Sequence, residues 1–145
     1  MRKLLTAAAI LAVASFAMAA ETWTSDYAKA VELSKKSGKP IMAFFTGSDW
    51  CGWCKKLKSE VLDTNDFMAW AKKNVILLEL DYPHAKAQSS ALKKQNQALQ
   101  SKYRIEGFPT VLFLKSDGKV LGSYGYDDGG PKKWTANADK FIKKS

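Results

Sequence analysis

Pro40-Ile41-Met42-Ala43-Phe44-Phe45-Thr46-Gly47-Ser48-Asp49-Trp50-Cys51-Gly52-Trp53-Cys54 contains the only two cysteines of this 145-residue chain, and two residues separate them. An apolar run leads in. Lys55-Lys56-Leu57-Lys58-Ser59-Glu60-Val61, rich in helix formers, leads out. That order predicts a strand over 41–46, a tight loop, and a helix from Cys51 to about Val61 whose first turn carries Cys51. A thiol there sits near the positive end of the helix dipole and near backbone N–H groups with no partner in the helix. Both favour thiolate over thiol. Such settings lower a cysteine pKa from about 8.5 to roughly 3.5–7.5. Cys54 lies one turn on, close enough to attack a mixed disulfide formed by Cys51. The pattern suits reversible thiol–disulfide exchange.

Residues 1–20 read as a cleaved signal peptide. Arg2-Lys3 is a short positive segment, 4–16 is apolar apart from Thr6 and Ser15, and Ala17-Met18-Ala19 is a small-x-small cleavage signal. The alternative is a membrane anchor, but a span needs about 20 apolar residues and this run is shorter. Residues 21–145 then form one domain, large enough to bury a core. Export places the mature chain in an oxidising compartment, the periplasm first and the extracellular medium second. A structural staple is the other reading of the cysteine pair. Closing so short a gap constrains the unfolded chain little, which favours a redox role.

The chain carries 23 basic and 14 acidic side chains, net +9, or +7 without Arg2 and Lys3. Lysine pairs such as Lys55-Lys56, Lys72-Lys73, Lys93-Lys94 and Lys132-Lys133 fall on the expected wet faces of successive helices. Solvated helix faces explain most of this charge. Attraction to acidic partners or an anionic surface is the sharper reading. No basic, aromatic-interleaved stripe points to nucleic acid.

Further along, a helix opens near Thr24 or Ser25 as cap, with Trp23, Tyr27, Ala30, Val31 and Ser34 as its buried stripe, and ends at Gly38 and Pro40. Thr64-Asn65-Asp66 caps a short helix with Phe67, Trp70 and Ala71 inward. Residues 75–81 form a second strand, broken by Tyr82-Pro83-His84. Ser89 or Ser90 opens a helix with Leu92, Leu99 and Tyr103 on its apolar side. Thr110–Lys115 is a third strand, Ser116-Asp117-Gly118-Lys119 a hairpin turn, and Val120–Tyr126 a fourth strand. Pro131 suits the first turn of a last helix, with Trp134, Ala138, Phe141 and Ile142 inward. An early strand–helix–strand unit and a late hairpin imply an α/β fold: a mixed four-stranded central sheet with helices on both faces.

From Thr22 to Lys144 the chain resembles the thioredoxin superfamily, and more closely its exported, periplasmic thioredoxin-like members. Thr46-Gly47-Ser48-Asp49-Trp50-Cys51-Gly52-Trp53-Cys54-Lys55-Lys56-Leu57 after an apolar strand, and Gly107-Phe108-Pro109-Thr110 before a later one, carry the resemblance. It implies a thioredoxin-like fold and a disulfide oxidoreductase with Cys51 as nucleophile and Cys54 as resolving thiol. It implies a cis Pro109 facing the pair, with Phe108 and Thr110 flanking a substrate groove. Trp50 and Trp53 join the expected substrate surface. No metal site and no cofactor beyond the redox-active Cys51–Cys54 pair is expected. Partners are protein or peptide thiols and disulfides and, by resemblance, a membrane thiol-electron transporter, with no stable membrane insertion after signal cleavage.

Two departures stand out. Trp53 occupies a position where many relatives carry proline or histidine. The strand before the motif, Met42-Ala43-Phe44-Phe45, lacks the buried aspartate of thioredoxins proper. Asp49, Glu79 and Asp81 are candidate proton carriers or merely solvated or hydrogen-bonded carboxylates. Competing functions remain a non-catalytic binding module built on Trp50, Trp53 and Phe108, and a Cu(I) or Zn(II) thiolate carrier. The only histidine, His84, would have to join both cysteines and a fourth ligand to hold zinc.

Overall fold

The computed structural model describes residues 23–143. The signal peptide expected over 1–20 lies outside the described residues. Helix α1 (Tyr27–Ser37) leads to strand β1 (Ile41–Thr46), then α2 (Gly52–Leu57), which runs on into a π-helical turn (Lys58–Leu62). Helix α3 (Asn65–Asn74), β2 (Ile76–Asp81), α4 (Ser90–Lys102), the hairpin β3 (Thr110–Leu114) and β4 (Val120–Tyr124), and α5 (Gly130–Ile142) follow.

The sheet order is β2-β1-β3-β4. β1 pairs parallel to β2, with Thr46 opposite Asp81, and antiparallel to β3. β3 and β4 are antiparallel. The expected mixed sheet is therefore present, with β1 central and buried along its whole length.

Alternation along β1 sorts the core into two layers, because successive side chains leave opposite faces of a strand. Met42 and Phe44 join Leu57, Val61, Phe67, Leu77, Val111, Phe113 and Trp134 beneath α2, α3 and α5. Ile41, Ala43 and Phe45 join Ala30, Leu78, Leu80, Leu99 and Leu112 beneath α1 and α4. Cys51 and Cys54 belong to the first layer.

Several local expectations need correction. The cap of α1 is Asp26, whose carboxylate accepts the Lys29 N–H at 3.2 Å, rather than Thr24 or Ser25. Thr24 instead bridges to the β2 edge: its N–H donates to the Leu77 carbonyl and its carbonyl accepts the Glu79 N–H. That extended start swings Trp23 out of the helix stripe. It stacks on Phe67, in the layer opposite Tyr27 and Val31. The helix after the motif widens before its end, since the Asp63 N–H reaches back five residues to the Lys58 carbonyl. β4 stops at Tyr124, two residues early, and Tyr126 lies in the loop before α5. On α4 the buried polar residue Asn96 accompanies Leu99, while Leu92 is only half-buried. Gly38 ends α1 in the left-handed conformation, φ 75°, where a side chain would be strained.

Candidate active site

The parallel pairing of β1 with β2 brings two loops out side by side at the same end of the sheet, beyond Thr46 and beyond Asp81. Crevices at such carboxyl ends are where α/β sheets hold their ligands. Residues 47–51 turn tightly: the Cys51 N–H donates to the Gly47 carbonyl at 2.8 Å. Cys51 is the N-cap of α2, with extended backbone, and its Sγ accepts the Cys54 N–H at 3.2 Å. The sulfur thus occupies the place that a serine or aspartate oxygen takes at other helix starts. The first turn of α2 holds no acidic side chain to offset the dipole.

Cys51 and Cys54 form a disulfide with Cα atoms 5.2 Å apart. Cys51 is 5% exposed and Cys54 1%. The pair is nearly sealed, and Cys51 is the more accessible sulfur.

Trp50 and Trp53 are 40% and 58% exposed, unusual for large apolar side chains. They turn to different walls. The Trp50 indole N–H donates to the Tyr82 carbonyl at 2.7 Å. Its ring stacks on His84 at 4.6 Å and meets Phe108 edge-on at 5.7 Å. Gly47 makes this possible, since a Cβ there would fall inside the Trp50 indole. Trp53 instead lies 5.1 Å from Tyr126. The Lys56 ammonium sits 5.2 Å over both rings, and the Tyr126 hydroxyl donates to Glu60 at 2.7 Å.

The Phe108–Pro109 peptide bond is cis. Thr110 closes that loop by donating its hydroxyl to the Gly107 carbonyl at 2.6 Å. Trp50 and Phe108 therefore meet directly, while Trp53 stands apart from them. Tyr82, His84, Tyr126 and Lys56 were not foreseen at this site. The parallel β1–β2 pairing was the available signal for Tyr82 and His84. No local pattern marks Tyr126, which arrives from the far end of the sheet.

The three carboxylates near the motif have different environments. Asp49 accepts the N–H groups of His84, Ala85 and Lys86 at 2.9, 2.7 and 3.1 Å. Those bonds, first from His84 and then Ala85, hold its pKa down at about 2. Asp81 accepts the Ser48 N–H at 2.9 Å and its hydroxyl at 2.5 Å. Glu79 pairs in register with Phe44 and so shares the sheet face beneath α2. Burial pushes its carboxyl up, more than Lys58 draws it down. Among the described residues, no three His, Cys, Asp or Glu side chains converge as a metal site would need.

The thioredoxin-like domain family model matches residues 27–130. The disulfide bond reductase DsbH of Chlamydia pneumoniae is 36% identical over 121 residues, covering 83% of this chain and 72% of that protein. The thioredoxin-related protein DsbJ of the same organism is 32% identical over 110 residues, 74% of this chain, and the chain spans about a third of its length. A solved structure titled DsbH oxidoreductase superposes with a TM-score of 0.82 at 33% identity, covering 97% of this chain and 96% of that one. The oxidised C-terminal domain of Neisseria meningitidis DsbD shares the fold, with a TM-score of 0.61 at 20% identity over 82% of this chain and 98% of its own. The chain belongs to the thioredoxin-like family and is a thiol–disulfide oxidoreductase.

Proposed function

We propose that the chain is an exported, periplasmic protein-disulfide reductase in which Cys51 attacks and Cys54 resolves. The observation that carries the reading is Cys51 capping α2 with its sulfur on the Cys54 N–H. In the reduced protein, thiolate Cys51 attacks a substrate disulfide. One sulfur–sulfur bond breaks, a mixed disulfide forms, and one substrate thiolate leaves. Cys54, deprotonated, then attacks the Cys51 sulfur and releases the second substrate thiolate. The substrate has gained two electrons, and Cys51–Cys54 is oxidised. An outside dithiol, by resemblance a membrane thiol-electron transporter, restores the reduced pair by the reverse sequence.

The direction follows the name of the disulfide bond reductase relative. The export rests on the leader-like pattern of residues 1–20. Trp50, Trp53, Phe108, Pro109 and Thr110 form the substrate surface around the pair. The sequence-level alternatives, a binding module and a metal carrier, gain no specific observation.

Insulin reduction with dithiothreitol tests the reading. The protein accelerates it, Cys51→Ser abolishes the acceleration, and Cys54→Ser accumulates a mixed disulfide through Cys51. Retained acceleration in Cys51→Ser contradicts the assignment.

A further inference from the structure

We infer that the groove beside Trp50 is a subsite for an acidic stretch of substrate polypeptide next to the cysteine that exchanges with Cys51. This rests on the reading of Cys51–Cys54 as the exchange centre. The groove has a volume of about 440 Å³, and Trp50, Tyr82, His84 and Phe108 line it together with Lys93 and Gln97 of α4. It adjoins the redox pair along the chain: two of its lining residues, Trp50 and Phe108, immediately precede Cys51 and the cis Pro109. It is also pre-formed. The Trp50 ring is fixed by its bond to the Tyr82 carbonyl and by its contacts with His84 and Phe108. A site already in shape loses less freedom when a chain enters it.

The charge of the groove sets the occupant. Lys93 and Gln97 are four residues apart on α4 and so share a face. Among the described residues, no carboxylate lines the groove. The two nearest in sequence are engaged elsewhere, Asp49 by the 84–86 N–H groups and Asp81 by Ser48. The Lys93 ammonium is in no ion pair or hydrogen bond with another described residue, and neither is the Gln97 side-chain amide. Lys86, outside the groove, donates its ammonium to the Ser48 hydroxyl at 3.1 Å, which in turn donates to the Asp81 carboxylate, so its charge is already matched. On the opposite wall, Lys56 already faces Glu60 at 3.9 Å and two rings. The Lys93 ammonium therefore stands in the groove without a carboxylate partner among the described residues, whereas Lys56 on the other wall has one. An extended chain crossing the site lays its apolar stems on the aromatic walls and offers a carboxylate to Lys93.

The test uses the full chain and peptide disulfides that differ only in Glu, Gln or Lys at one position within four residues of the cysteine. Turnover is coupled to dithiothreitol. Glu peptides should exceed Gln peptides about two- to fivefold in kcat/KM, the range of one exposed ion pair. Lys peptides should fall below both. The preference should be confined to one side of the cysteine and should vanish in 1 M salt, where the screening length is about 3 Å. Lys93→Glu should invert the order while leaving turnover of hydroxyethyl disulfide unchanged. An order that is the same in wild type and Lys93→Glu, or absent while hydroxyethyl disulfide is still reduced, overturns the subsite. Loss of turnover with every disulfide in the wild type would instead overturn the exchange reading beneath it.

Discussion

The backbone N–H of Cys54 points at the sulfur of Cys51 across 3.2 Å. One residue of the motif thus solvates the other. The bond uses the main chain, so no side chain between the cysteines is required for it. Trp53 is therefore free to face Tyr126 instead of the sulfur.

Gly47→Ala should displace Trp50. The added Cβ falls on the indole itself, and the ring is held by Tyr82 and His84, so neither side yields cheaply. Overpacking of this kind costs about 1–3 kcal/mol. Urea unfolding would show the loss, and tryptophan fluorescence would report the moved ring. A variant as stable as wild type with unchanged emission would contradict the geometry.

Asp49 ties the motif loop to residues 84–86. Its folded pKa, about 2, is depressed. A depressed acid stabilises above its unfolded pKa, about 3.9, and loses that contribution as pH falls through the folded value. The amide resonances of His84 and Ala85 should therefore titrate with this carboxyl near pH 2, and not near pH 4. Asp49→Ala should free the loop and speed tryptic cleavage after Lys86 at neutral pH.

Glu79 should behave in the opposite sense. Its carboxyl is raised by burial, so the folded state binds the proton more tightly than the unfolded chain. Stability then declines as pH rises from the unfolded value, about 4.3, through the raised folded one. Glu79→Gln should match wild type below pH 4 and exceed it at pH 7 in parallel urea titrations. Equal stabilities at both pH values would remove the burial argument.

Much of this architecture was legible. β1 was readable from its end-to-end apolarity, which only a central strand tolerates, and the hairpin from Ser116-Asp117-Gly118-Lys119. The Cys51 position was readable from strand, loop and helix formers in order. What failed was decided by contacts distant in sequence. Trp23 fits a helical stripe as well as it fits a place under the sheet, and the Thr24 bridge to β2 selects the second. The π turn, which buries Val61 and Leu62, has no residue signature. His84 lies 34 residues beyond Trp50 and Tyr126 lies 73 beyond Trp53, and only the assembled sheet brings each to its tryptophan.

Trp134→Phe probes the support under that far loop. Trp134 is fully buried and its indole N–H donates to the Gly125 carbonyl at 2.9 Å, one residue before Tyr126. Phenylalanine keeps most of the ring but leaves the carbonyl unpaired. The loss should be at least about 1–3 kcal/mol by urea unfolding, with Trp53 emission shifted as Tyr126 loosens.

The most direct test of the central claim is site-resolved alkylation of the reduced protein at pH 7, read by peptide mass spectrometry. An ordinary thiol with a pKa near 8.5 is only a few per cent thiolate there. Cys51 should react about tenfold faster than a free cysteine peptide, and faster than the more buried Cys54. A Cys51 no faster than the free peptide, or slower than Cys54, would contradict the account.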